Sequence, residues 1–299
     1  MNKYVFYDKL SVWLLSLLAG RNKYFSKSLQ SNSIEEHLQF LDFTLPDLIH
    51  KGDFEIPVKH LSGVADPAIK IVQWLGYDFP TIIYHHDFNE QPFDLTEDAR
   101  NSFFHIFLNW PRRIPANLLL LRAPFHNQKL STYFQKVGDL DNFIALLSVQ
   151  AKVTDKVAMQ FRSRSKKAVI VAGIGLGGWI TNIHRAYFNT AQAYIPILAG
   201  TRLDEMFITS GFKMLCSKDA QKEKTLLKER LNFFSKFRRV TTFNLYPMMA
   251  LHDNLSEFKV QKSAYNGFPL RVVEEGHISA ILKPSLSRDH ILEVLERHS

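Results

Sequence analysis

The chain has 299 residues, 46% of them hydrophobic and 13% aromatic, enough to bury a large core in one α/β domain with an insertion or in two domains. Its single cysteine, Cys216, excludes an intramolecular disulfide and suits a reducing compartment, so a cytoplasmic location is expected. A net charge of +8 is moderate at this length and describes a basic surface, with no nucleic-acid partner expected.

Residues 4–50 are expected to be mainly helical. The apolar run Leu10–Gly20 offers about ten apolar positions, short of the roughly 20 that a membrane span needs. Asp8 and Lys9 abut it and no small-x-small cleavage site follows, which favours a buried or amphipathic helix over a signal peptide. Ser33-Ile-Glu-Glu36 has the spacing of a capping box and predicts a helix running through Leu41, with Gly52 closing a helical N-terminal extension over 1–52. Gly52–Val58 and the stretch near His60 fit the strands of a leading hairpin, and Ala68–Leu75 is a short apolar segment.

Pro80-Thr-Ile-Ile-Tyr-His-His86-Asp87-Phe88 describes a buried strand entering a polar loop, and 96–109 the helix after it. Asn117–Pro124 is a second buried strand, and Asp139–Phe161 carries apolar residues at helical spacing. At Ala168-Val-Ile-Val-Ala-Gly173-Ile-Gly175-Leu-Gly177-Gly178, a β-branched run meets four glycines within six positions, and a helix-like segment from Trp179 to Phe188 follows. That pattern predicts a buried strand, a sharp turn and a closely packed helix. Further on come a strand at Ala193–Gly200, a largely helical insertion over 201–239 with a Lys/Glu-rich helix at Asp219–Phe234, strands at Phe243–Leu251 and Phe268–Glu275, and a final helix at about 288–297. Alternating strands and helices predict a mostly parallel sheet with helices on both faces.

The glycine turn resembles the nucleophile elbow of the α/β-hydrolase superfamily, Gly-x-Ser-x-Gly, except that the nucleophile position is Gly175. The resemblance covers roughly residues 60–299 and implies an α/β-hydrolase fold over 53–299, with 201–239 as a lid. It implies an acid at Asp253, just past a strand, and a histidine at His277 in Gly276-His277. It also implies oxyanion donors at the backbone N–H of Leu176 and at one near Asp87 or Phe88. His85-His86 sits where that family often has His-Gly, and Asp87 replaces the usual glycine. A carboxylate at 87 opposes a developing oxyanion unless it points away.

The chemistry requires a hydroxyl nucleophile, a histidine to take its proton and a carboxylate to orient that histidine. With glycine at 175 the expected protein is a noncatalytic or strongly weakened hydrolase that binds a small ligand or a partner. The alternative is an active ester-type hydrolase in which Asp253 and His277 use water or an unrecognised nucleophile. Asp253 could instead cap a loop, and His277 could be a surface histidine after a strand. A second alternative is dinucleotide binding through Gly173-x-Gly175-x-x-Gly178, which lacks the acid required about 20 positions on, since the first is Asp204. No cofactor and no metal are expected, because adjacent His85 and His86 point to opposite sides of an extended chain.

Overall fold

The computed structural model describes residues 2–299. Helix α1 (Lys3–Ala19) begins at Asn2, whose side chain accepts the Tyr4 N–H. Helix α2 (Ile34–Gln39) opens with the expected capping box: Ser33 accepts the Glu36 N–H while the Glu36 carboxylate accepts the Ser33 N–H. Between and after them the chain is irregular where helix was expected. Tyr24, Phe25 and Leu48 from those irregular stretches are buried in the main core, so tertiary packing overrides local preference there.

Strand β1 (Gly52–Glu55) does not join the hairpin expected of it. It pairs antiparallel with β4 (Ala68–Gln73), while β2 (Val58–His60) pairs with β3 (Gly63–Ala65) in a separate two-stranded ribbon. Pro57 has no N–H to give to a ladder, and the chain changes sheet there. Strands β5 (Thr81–His85) and β6 (Asn117–Arg122) follow as expected. The helix expected over 96–109 shrinks to a π-helical turn at Phe104–Leu108, because Asn101 donates to the Pro92 and Asp94 carbonyls and ties the preceding residues into a loop.

Helix α3 (Leu130–Val137) leads to the 25-residue α4 (Leu140–Arg164), then β7 (Val169–Ile174), α5 (Leu176–Tyr187) and β8 (Ala193–Ile197). The insertion contains α6 (Leu203–Ile208), α7 (Lys218–Lys222), α8 (Lys224–Leu231) and α9 (Phe234–Arg238) in place of one helix at 219–234. Ser217 caps α7, and Asn232 turns back to accept the Phe234 N–H, breaking the run twice. Strand β9 (Met248–Ala250), α10 (Phe258–Gln261), β10 (Arg271–Val273), α11 (His277–Ile281) and α12 (Pro284–Arg297) complete the chain. Pro284 starts α12 four residues earlier than expected, at a position where a missing N–H costs nothing.

The main sheet has the order β1-β4-β6-β5-β7-β8-β9-β10, parallel from β6 to β10, with β4 antiparallel to both of its neighbours. Its strands alternate between two cores. Ile83, Leu119, Val171 and Tyr194 face the layer of α4 and α5, whereas Ile82, Leu120, Ile170 and Ile195 face α12 and the π-helical turn. Because the strands from β6 to β10 run parallel, the loops after β5, β7, β9 and β10 gather at the carboxyl edge, where open α/β sheets build their sites.

Candidate active-site cleft

Gly175 turns β7 into α5 with φ 53° and ψ −115°, a left-handed conformation that side chains adopt only under strain. Its N–H donates to the Ile197 carbonyl at 3.0 Å. Gly177, in the first turn of α5, lies directly against the His85 carbonyl, where a Cβ has no room. The close packing expected of these glycines is therefore present. A Cβ on Gly175 meets a different obstacle, because it would land on the carboxylate of Asp87.

Asp87 stands just past the end of β5 and points into the cleft, not away from it. Its Oδ1 accepts the Leu176 N–H at 2.9 Å and the Phe88 N–H at 2.8 Å. These are the two backbone donors expected to serve an oxyanion, and the protein's own carboxylate takes both. The loop is pinned to hold it so. His86 Nε2 accepts the Ala123 N–H, which leaves the proton on Nδ1, and that N–H donates to the Asp87 carbonyl at 2.6 Å. Glu90 accepts the Asp87 N–H with one oxygen and the Ser102 N–H and hydroxyl with the other. Burial, with Asp87 nearby, pushes Glu90 up to about 8. Burial also raises Asp87, against the opposing pull of His277 and of the two N–H groups.

Across the cleft, Asp253 follows β9 and His277 opens α11. Asp253 Oδ2 and His277 Nδ1 are 2.8 Å apart and both residues are buried. Asp253 Oδ1 also accepts the Leu255 and Ser256 N–H groups, so it caps its loop and orients the histidine at once. Burial by itself would lower His277, but the contact and charge of Asp253, reinforced by Asp87 and Asp8, carry it up to about 9. It is an imidazolium at neutral pH, and its Nδ1–H donates to Asp253.

Three further participants stand outside the motifs legible in the sequence. Asp8, buried on α1, accepts the Asn254 and His277 N–H groups with one oxygen and the Ile278 N–H with the other. A lone acid within an apolar helix was the available hint. Glu90 pins the Asp87 loop, and Ser256 has a buried hydroxyl with no partner. The cavity between Asp87 and His277 has a volume of about 30 Å³, and Tyr24, Phe143, Trp179, Phe212 and Ser256 are among its other walls. A space of that size holds a water molecule or two, whereas ligand pockets run to roughly 300–1,000 Å³.

Other residues considered in the sequence lie elsewhere. His85 faces Gln150 and Thr154 of α4, opposite to His86, as the extended chain requires. Cys216 is buried and pushed up to about 12 by burial, and it packs behind Tyr24 without lining this cavity. Among the described residues no group of three His, Cys, Asp or Glu side chains is placed to hold a metal ion. For a dinucleotide, the turn at Gly173-x-Gly175-x-x-Gly178 presents the Asp87 carboxylate where a pyrophosphate would need N–H donors.

A mostly parallel sheet, the β7–α5 glycine turn and an acid and histidine delivered after β9 and β10 define an α/β-hydrolase fold. No protein-family model and no curated protein sequence matches the chain. Solved structures do. Acetyl xylan esterase 1 from Thermoanaerobacterium sp. JW/SL YS485 superposes with a TM-score of 0.55 at 10% identity, covering 96% of this chain and 93% of that one. An esterase of Pyrococcus furiosus gives 0.52 at 12% identity, over 87% of this chain and 97% of its own. The acylaminoacyl peptidase of Pyrococcus horikoshii gives 0.52 at 11% identity, over 84% of this chain but 41% of its own. Identities this low are a likeness of fold.

Proposed function

We propose that this chain is a noncatalytic α/β-hydrolase-like protein whose cleft is locked by its own side chains and serves to bind a small ligand or a protein partner. The observation that carries this reading is the Asp87 carboxylate, which fills the room beside Gly175 and accepts from Leu176 and Phe88. An acyl oxygen entering there would meet a negative charge and no free donor. Two further features support it. His277, held up at about 9, is protonated at neutral pH and is a poor general base there. The cavity has space for a group of water size, so a larger ligand must displace the rings of Tyr24 and Phe212.

A second reading, an ester-type hydrolase with an unrecognised nucleophile, is favoured by one observation. The Ser256 hydroxyl is buried, has no partner and shares the cavity with His277. Exposure to a fluorophosphonate probe, together with p-nitrophenyl ester turnover, separates the two. Under the first reading the natural chain is neither labelled nor active. Labelling or turnover abolished by both Ser256→Ala and His277→Ala would establish the second.

A further inference from the structure

Helix α1 has two apolar faces, and the fold uses one of them. Asp8, Val12 and Ala19 are buried on the inner side, where the helix rests on α11 and the turn at 211–215. At about 100° per residue, Phe6, Leu10, Trp13, Leu14, Leu17 and Leu18 fall within a continuous arc of roughly 140° on the opposite side. All six are exposed: Trp13 and Leu14 by 48%, Leu17 by 60% and Leu18 by 68%. Tyr7 lies in the same arc and is 50% exposed. An apolar stripe of this length on a helix that already packs its inner face has no role in the fold.

The exposed charges of the N-terminal segment that carries the stripe are of one sign. Between residues 2 and 33 the basic residues are Lys3, Lys9, Arg21, Lys23 and Lys27, and the lone acid is Asp8, buried on the inner face. Beside the helix, an open groove of about 560 Å³ runs between Phe6, Leu10 and Trp13 and the 209–214 segment, with Lys213 and Met214 on the far wall. Its one carboxylate, Glu257, already accepts from Thr209. Aromatic rings with a polar end, leucines, and lysines at the margins are the composition that settles at the boundary between headgroups and acyl chains. The helix has 17 residues, and no helix among the described residues is long and apolar enough to cross a membrane, so such a helix would lie in the interface plane.

We propose that the outward face of α1 docks this protein on an anionic lipid surface, the leucines and aromatic rings entering the boundary and the flanking lysines pairing with lipid phosphates. The charge complementarity favours this occupant over a second copy of the chain, which would set like charge against like.

Co-sedimentation of the full chain with vesicles of phosphatidylcholine alone, and of phosphatidylcholine and phosphatidylglycerol at a ratio of about 3:1, tests the proposal. Binding is expected to the anionic vesicles, weaker in high salt and weak to the neutral ones. Leu14→Glu/Leu17→Glu is expected to lower the affinity by roughly 100-fold, and Lys3→Glu/Lys9→Glu by about 10-fold or more. Both variants change exposed positions and should keep the thermal midpoint of the parent. Four results would overturn the docking surface: failure to bind anionic vesicles, equal binding to both compositions, unchanged binding of the leucine variant, or a lipid-free dimer that this variant dissolves in a chain that ignores vesicles.

Discussion

The half of the cleft built by the loops after β9 and β10 and the half built by those after β5 and β7 are organised by opposite means. In the first, two side chains far apart in sequence, Asp253 and His277, meet at 2.8 Å and hold the relation that acyl-transfer chemistry uses. In the second, the turn has a left-handed backbone but no side chain, and the neighbouring loop supplies one from the side. Asp87 brings a carboxylate into the space beside Gly175, 88 positions earlier in the chain, and bonds it to the adjacent N–H groups. A carboxylate that accepts two N–H groups and faces the protonated His277 is how a cleft can be well ordered while its acceptor site is occupied. Under the proposed reading, the side chain that position 175 lacks is half of the arrangement, and the carboxylate in its place is the other half.

The largest effect should come from forcing a side chain back onto the turn. Gly175→Ser alone pushes a Cβ into Asp87 at a left-handed φ, and a loss of about 3 kcal/mol or more is expected by chemical denaturation, with no gain in ester turnover. Gly175→Ser/Asp87→Gly removes the clash and frees both N–H donors. It should recover much of the stability and turn over p-nitrophenyl esters at least about 100-fold faster than the natural chain, a gain that His277→Ala abolishes. Activity in the single variant would break the comparison, because it would mean that Asp87 leaves the pocket easily.

Next in size is the pH dependence of the Asp253–His277 half. Because the folded chain holds the His277 proton more tightly than the unfolded chain, its stabilising share is full below about pH 6.5. It is lost as the pH rises through about 9, by up to about 3 kcal/mol. Glu90, raised from 4.5 to about 8 by burial, changes stability with the same sign at lower pH, so the two overlap. Asp253→Asn should flatten the portion above pH 6.5 and leave the Glu90 portion, which denaturant midpoints measured from pH 5 to 10 would resolve.

Asp8→Ala leaves three N–H groups of the Asn254 and His277–Ile278 loops without their acceptor, at an expected cost of about 2 kcal/mol in the same assay. Asp87→Asn is the mildest and sharpest probe. The amide oxygen can still accept from Leu176 and Phe88 while the charge facing His277 is gone, so a loss of about 1 kcal/mol and a lower His277 pKa by NMR are expected. If Asp87→Asn costs as much as Gly175→Ser, charge and not shape holds that half together.

Much of the architecture was legible locally. The short apolar runs at 81–85, 117–122 and 169–174 read as buried strands, and the glycines at 173, 177 and 178 foretold a helix packed hard against a strand, because close backbone approach excludes every other residue. The capping box at Ser33 is local hydrogen-bond chemistry and was equally readable. The spacing of Asp253 and His277 after their strands suggested a meeting without proving one. The irregular paths of 20–33 and 40–51, and the breaks in 219–234, were not readable, since burial of Tyr24 and Phe25 and the side-chain caps at Ser217 and Asn232 outweigh a weak helical preference. Residue identity alone establishes that position 175 has no side chain to attack with and that position 87 is a carboxylic acid. Where that carboxyl goes is settled by packing, because the direction of Asp87 depends on His86 and Glu90 of its own loop and on the Leu176 N–H of α5, far away in sequence.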